Sequence, residues 1–132
     1  MSEQLSVCKA LAAMMTKGKE ASEAEITFVG NAALELGLSP EENEAVMATL
    51  KDGGDFTAEL GGIASRRMRT YLFRRVVAAT LLDDQVEDSE LAVIHETAKV
   101  FDFKSDVVDD FLGWMKEGIA WEKRGVELMA KL

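Results

Sequence analysis

Residues 12–50 read AAMMTKGKEASEAEITFVGNAALELGLSPEENEAVMATL, and much of this pattern returns 65 positions further along the chain. Residues 77–115 read VAATLLDDQVEDSELAVIHETAKVFDFKSDVVDDFLGWM and align with the first stretch without a gap. The apolar positions that align are Ala13 with Ala78, Val29 with Ile94, Ala33 with Ala98, Leu36 with Phe101, Leu38 with Phe103, Val46 with Phe111, and Leu50 with Met115. Repeated helical units bury their apolar faces against one another, so the duplication predicts two related halves that share a core.

The rest of the pattern is typical of helices. The chain has a single proline and is rich in strong helix formers. Ser22 with Glu25, and Ser39 with Glu42, have the spacing of capping boxes, in which a serine and a glutamate close the start of a helix. The predicted helices cover about 3–16, 23–36, 40–50, 57–82, 88–101, 105–116 and 119–132.

The fourth of these predicted helices, at about 57–82, is the longest. Its apolar residues go nearly all the way round the helical wheel, and a helix that is apolar on all sides is expected to be buried on all sides. The sequence therefore predicts one all-α domain over residues 1–132. We expect seven helices, arranged as two pseudo-symmetric halves around this long central helix.

The composition limits which binding partners and which cellular compartment we expect for this protein. A formal net charge of −9 excludes nucleic acid and anionic membranes as favoured partners, because phosphate would be repelled over most of the surface. No apolar run reaches the length of about 20 residues that a membrane span needs, so we expect no direct membrane insertion. The single Cys8 cannot form an internal disulfide and is expected to be buried. These features favour a cytoplasmic protein.

The two copies differ in charge at one interhelical loop. The first copy has Lys17 and Lys19 where the second has Leu82-Asp83-Asp84. Asp83 and Asp84 fall where the predicted central helix ends, and carboxylates at that negative end of the helix dipole are unfavourable unless a positive charge compensates. We therefore expect something positive beside them.

Two hypotheses explain the acidic loop. In the first, a divalent cation (Ca²⁺, Mg²⁺ or Mn²⁺) is held by oxygen ligands from Asp83, Asp84, Glu87 and Glu90. In the second, the lysines of the first loop face the two aspartates across the pseudo-twofold axis, and this ion pair needs no special geometry. The spacing does not fit an EF-hand, so a metal site here would be irregular.

Other candidate chemistry is sparse. The arginines between 66 and 75 spread around the predicted central helix, so we expect them to bind acidic faces of neighbouring helices. His95 is the only histidine, and no second imidazole or free cysteine cluster completes a zinc or iron ligand set. The sequence predicts no catalytic residue and no enzyme activity.

A cluster near the carboxyl end of the sequence is the best candidate for a contact with a protein partner or a second copy. It consists of Trp114, Trp121, Leu128 and Met129. Aromatic residues and methionine are enriched at protein interfaces. The alternative, that these side chains close the core, stays open at this point.

Three motifs of this chain resemble the TerB-like family, the tellurite-resistance protein B domain, which is also similar to the N-terminal domain of membrane-anchored J-domain proteins. They are Thr16-Lys17-Gly18-Lys19-x-x-Ser22-x-x-Glu25, Leu36-Gly37-Leu38-Ser39 and Leu82-Asp83-Asp84-x-Val86-x-x-x-Glu90. The resemblance covers roughly Leu5 to Met115. It implies an all-α fold, no established catalytic activity, acidic interhelical loops suspected of binding divalent metal, and a role in stress response or membrane-associated assemblies.

Carried over residue by residue, the family's acidic-loop positions map to Asp83, Asp84 and Glu90, and to Glu25 in the first copy. Members of the family tend to have Asp-Gly in the first loop, where this chain has Lys17-Gly18. This loses a carboxylate and adds a positive charge.

The function that we predict from the sequence is a non-enzymatic, cytoplasmic, TerB-like binding module that responds to a divalent metal through its acidic loop. The alternative is a structural or assembly protein, which associates with itself or a partner through its helices and without metal.

Overall fold

The computed structural model describes residues 2–81 and 86–132. Within these residues there are seven helices and no strand, which confirms the predicted all-α fold. The helices are α1 (Glu3–Met15), α2 (Glu23–Glu35), α3 (Pro40–Asp52), α4 (Phe56–Leu60), α5 (Arg66–Thr80), α6 (Asp88–Val100) and α7 (Ser105–Lys131). The chain forms two compact units, Met1–Ala79 and Thr80–Leu132. The arrangement as a single pseudo-symmetric domain stays a prediction.

The first unit is built around α1. This helix contacts α2, α3 and α4. Its buried residues are Ser6, Val7, Cys8, Ala10, Leu11, Ala12, Ala13 and Met15. These positions cover every side of the helix, and most of them are small, which lets neighbouring helices approach closely. Cys8 is fully buried, as predicted, and burial raises the pKa of its thiol to about 12.

The prediction of one long helix at 57–82 was wrong, because α4 and α5 are separate helices. Gly61 and Gly62 end α4, since glycine favours the helical conformation least among residues other than proline. Ser65 then starts α5: its Oγ accepts a hydrogen bond of 3.2 Å from the N–H of Met68.

A carboxylate from α1 holds this break in place. The Oε1 atom of Glu3 accepts hydrogen bonds from the backbone N–H groups of Ala64, at 2.7 Å, and Ser65, at 2.6 Å. These hydrogen bonds lower the pKa of Glu3, with that from Ser65 contributing most. The start of α5 is therefore fixed by the start of α1, about sixty residues earlier in the chain.

The second unit contains α6 and α7, which contact one another. Two separate segments were predicted at 105–116 and 119–132, but α7 is continuous from Ser105 to Lys131. It passes through Gly113, Gly118 and Gly125. An isolated glycine costs a helix only about 0.5–1 kcal/mol, so it weakens α7 without ending it.

The sequence repeat has a counterpart in local structure. Helices α2 and α6 start 65 positions apart, at Glu23 and Asp88, and end 65 positions apart, at Glu35 and Val100. Helices α3 and α7 also start at the same offset. The aligned residues therefore form the same elements at the same places, although α7 continues well beyond the end of its counterpart.

Candidate functional site

Of the five predicted metal ligands, two fall outside the residues that the structure describes and three fall within them. Asp83 and Asp84 lie outside the described residues. Glu87 is exposed and precedes α6, and its backbone N–H donates a hydrogen bond of 3.2 Å to Oε1 of Glu90. Glu90 thus helps to close the start of α6. Within residues 2–81 and 86–132, no three His, Cys, Asp or Glu side chains lie together in a way that could hold a metal ion. The metal site stays a prediction.

The fifth predicted ligand, Glu25, is engaged in the first copy's loop. Its carboxylate accepts hydrogen bonds from Nζ of Lys19 at 2.6 and 2.9 Å, and one of 2.9 Å from the N–H of Ser22. Ser22 Oγ in turn accepts from the N–H of Glu25 at 3.2 Å, which confirms the predicted capping box. Burial opposes ionisation, but Lys19 and Ser22 outweigh it and lower the pKa of Glu25. This carboxylate therefore compensates the loop's own positive charge.

The sequence did not predict a cluster of three interacting side chains, which consists of Glu35, Tyr71 and Arg75. Tyr71 on α5 donates a hydrogen bond of 2.5 Å to Oε2 of Glu35 on α2, and Arg75 forms an ion pair with the same oxygen. The guanidinium of Arg75 also lies over the ring of Phe28, 5.2 Å from its centroid. The predicted role of the arginines, binding acidic side chains of a neighbouring helix, is met by Arg75.

The pKa values of this cluster follow from its geometry. Burial, and then the hydrogen bond to Glu35, raise the pKa of Tyr71 to about 12. The hydrogen bonds from Tyr71 and Arg75 lower the pKa of Glu35. Since both shifts favour the hydrogen-bonded pair of neutral phenol and ionised carboxylate, the cluster joins α2 to α5 within the first unit.

The predicted partner residues on α7 are all exposed. The exposed fraction is 54% for Trp114, 75% for Trp121, 52% for Leu128 and 64% for Met129. Val107 and Val126 on the same helix are also more than half exposed. The side chains of Val107, Trp114, Trp121, Leu128 and Met129 share one side of the helix and form an exposed apolar surface, which we call the α7 face, instead of closing the core. Val126 lies on another side of the helix.

Two parallel rows of positions with a spacing of seven residues run along the α7 face, with Met129 beside them. The first row is Val107, Trp114, Trp121 and Leu128, and the second is Phe111, Gly118, Gly125 and Leu132. Seven residues make just under two helical turns, so each row runs along one side of the helix. A Cβ atom added at Gly118 or Gly125 would meet nothing within 4 Å. The face thus alternates large indole rings with two open notches.

Comparisons with models of protein families, with curated proteins and with solved structures give no match for this chain. The TerB-like resemblance stays a prediction. Among the helices of the described residues, none is both long enough and apolar enough to cross a membrane.

Proposed function

We propose that this protein is a non-enzymatic binding module that acts through the α7 face. The observation that carries the proposal is the exposure of Trp114 and Trp121, which are both of the chain's tryptophans. Tryptophan is strongly enriched among the residues that dominate the energy of protein interfaces. A surface with both tryptophans and few charges along its centre has the composition of an interface core.

The free energy of burying apolar side chains supports the same proposal. Burying one large apolar side chain gains roughly 1.5–3 kcal/mol, and the α7 face carries several such side chains in contact with water. Contiguous apolar surface of this kind is rare on monomeric proteins unless it has a binding role. The proposed function therefore places the contact with a partner on α7.

Site-specific photo-cross-linking in the cells that make the protein tests this proposal. A photoreactive phenylalanine analogue replaces Trp121 in one variant and Glu127, which is exposed on the opposite side of α7, in a matched control. We expect cross-linked species from position 121 and few from position 127. Equal cross-linking from both positions, or none from position 121, would contradict the proposal.

A second proposal concerns the acidic loop. Helix α5 ends at Thr80 and α6 begins at Asp88, so Asp83 and Asp84 follow the carboxyl end of one helix and precede the next. Such a pair favours a compensating cation. The proposal that a divalent metal binds here, as is suspected for the acidic loops of the TerB-like family, is supported by this placement, and thermal melting of the chelated protein with added divalent cations tests it.

A further inference from the structure

The α7 face is complementary to itself. We propose that its partner is the α7 face of a second copy of this chain, with the two helices running antiparallel. This inference rests on the proposed function, because it assumes that α7 provides the contact surface. It goes further by naming the partner, the direction of the helices and the register.

The register follows from the two rows. When Trp121 of one copy lies opposite Gly118 of the second, Trp114 lies opposite Gly125, and Phe111 lies opposite Leu128. Two-fold symmetry then repeats each of these layers, since residue i contacting j requires j to contact i. Each indole ring therefore enters a notch where a Cβ atom would meet nothing within 4 Å, as knobs enter holes in coiled coils.

The charges beside the rows support the antiparallel direction. Asp110, Glu117, Arg124 and Lys131 recur every seven residues along one edge of the α7 face, with the two acids first and the two bases last. In the register above, Glu117 lies beside Arg124 of the second copy, and Asp110 lies beside Lys131. The symmetry gives four ion pairs in all.

A parallel pair would lose this complementarity. In parallel coiled coils, a residue on this edge faces the residue five positions later on the other helix. Glu117 would then face Glu122 of the second copy, and Arg124 would face Met129. The repulsion between like charges destabilises the parallel pair more than the ion pairs stabilise the antiparallel one. The charge pattern therefore favours the antiparallel direction of the two helices.

The first experiment measures the monomer–dimer equilibrium of the full chain by sedimentation over a wide range of concentrations. We expect a reversible dimer whose Kd rises roughly thirtyfold or more for Trp121→Ala, because the indole loses its notch. Gly118→Leu fills the notch and should also weaken the dimer. Gly113→Leu is the matched control: it lies outside the two rows and gains the same helix propensity.

The second experiment tests the direction with charge reversals at two exposed positions. Arg124→Glu places like charges opposite each other twice per dimer, so we expect Kd to rise about tenfold. Glu117→Lys alone should weaken an antiparallel dimer, but would strengthen a parallel one by relieving the contact with Glu122. The double variant Glu117→Lys/Arg124→Glu exchanges the charges and should restore the original Kd to within about threefold.

The outcomes separate this inference from the proposed function. A dimer weakened by Trp121→Ala, and restored by the double charge exchange, supports the antiparallel pair. A dimer that Trp121→Ala weakens but Glu117→Lys strengthens overturns the antiparallel pair and leaves α7 as the contact surface. A strict monomer that cross-links to another protein from position 121 overturns self-pairing only. A monomer without such cross-links overturns both.

Discussion

Asp102 occupies, after α6, the left-handed backbone position that Gly37 occupies after α2. The φ angle is 58° at Asp102 and 67° at Gly37. The same hydrogen bond closes both turns: the N–H of Leu38 donates to the carbonyl of Ala33 at 3.1 Å, and that of Phe103 donates to Ala98 at 2.8 Å. The second turn therefore adopts a conformation in which a Cβ atom is unfavourable.

Replacing Asp102 by glycine should stabilise the protein. Asp102→Gly removes the steric cost of the left-handed conformation and a negative charge at the carboxyl end of α6, so we expect a gain of about 0.5–1 kcal/mol in the free energy of unfolding. Urea denaturation measures this. The reverse substitution, Gly37→Asp, should lower the free energy of unfolding by about as much. Equal losses from both substitutions would show that the aspartate side chain makes a compensating contact.

The phenol of the chain's single tyrosine should lose its proton only at high pH. Tyr71 is the only tyrosine, so the absorbance of tyrosinate reports this residue alone. We expect a midpoint near pH 12 in the folded protein, where burial and Glu35 raise the pKa of Tyr71. Glu35→Gln removes the negative charge and should move the midpoint towards the ordinary value of about 10. A midpoint that does not change would show that burial alone sets the pKa.

This pKa shift also predicts how stability depends on pH. A phenol whose pKa is raised on folding contributes stability that is full below the unfolded value, about 10, and is lost as the pH rises through the folded value. Glu35 has the opposite sign: its pKa is lowered, so its contribution is lost as the pH falls through that lowered value. Tyr71→Phe should flatten the alkaline part of the stability profile and also weaken the acid part, because the hydrogen bond from Tyr71 is the largest cause of the lowered pKa of Glu35.

Adding a single methyl group at Gly62, in the break between α4 and α5, should destabilise the protein. A Cβ atom at Gly62 would lie 2.7 Å from Oγ of Ser6 on α1, which is too close for any real contact. We expect Gly62→Ala to lower the free energy of unfolding by about 1–3 kcal/mol. Gly61→Ala is the matched control, because its nearest neighbour, the carbonyl oxygen of Ala58, is 3.4 Å away.

A double-mutant cycle identifies the contact responsible. Ser6→Ala removes the clashing oxygen, so the pair Ser6→Ala/Gly62→Ala should lose less stability than the sum of the two single changes. Simple additivity would mean that the cost of Gly62→Ala arises from the backbone.

The metal proposal has a direct thermal test. The chelated protein is melted with and without Ca²⁺, Mg²⁺, Mn²⁺ or Zn²⁺, beside the variant Asp83→Asn/Asp84→Asn. A cation bound only to the folded state raises the melting midpoint by several degrees at concentrations well above its Kd. We expect this rise in the natural sequence and not in the variant. If no cation acts and the variant is less stable, the aspartates are paired with positive side chains of the chain itself.

The sequence predicts seven helices and residues 2–81 and 86–132 contain seven, but the two numbers agree only because two errors cancel: one predicted helix is two helices, and two predicted helices are one. The Gly61-Gly62 pair, followed by Ser65 as a cap, ends one helix and starts another, whereas isolated glycines do not interrupt α7. The decisive contact, from Glu3 to the backbone of Ala64 and Ser65, joins residues about sixty positions apart. Local patterns carry no information about such a contact.

The candidate sites likewise include one that the sequence indicated and one that it did not. The cluster of Trp114, Trp121, Leu128 and Met129 was singled out in the sequence because aromatic residues and methionine are enriched at interfaces, but only the structure shows that these side chains are exposed. The cluster of Glu35, Tyr71 and Arg75 was not singled out, since its members are 36 and 40 positions apart and each is an ordinary surface residue type. Its formation depends on how α2 packs against α5.

The placement of Cys8 and the tryptophans gives each unit a natural probe of its own. Cys8 is buried at the centre of the first unit, and Trp114 and Trp121 both belong to the second. A thiol reagent in solution therefore reports the opening of the first unit, while indole fluorescence reports the surroundings of α7 in the second unit, which dissociation of the proposed dimer also changes. If thiol exposure and the fluorescence change coincide along a denaturant series, the two units unfold as one cooperative body; separate transitions give each unit its own stability.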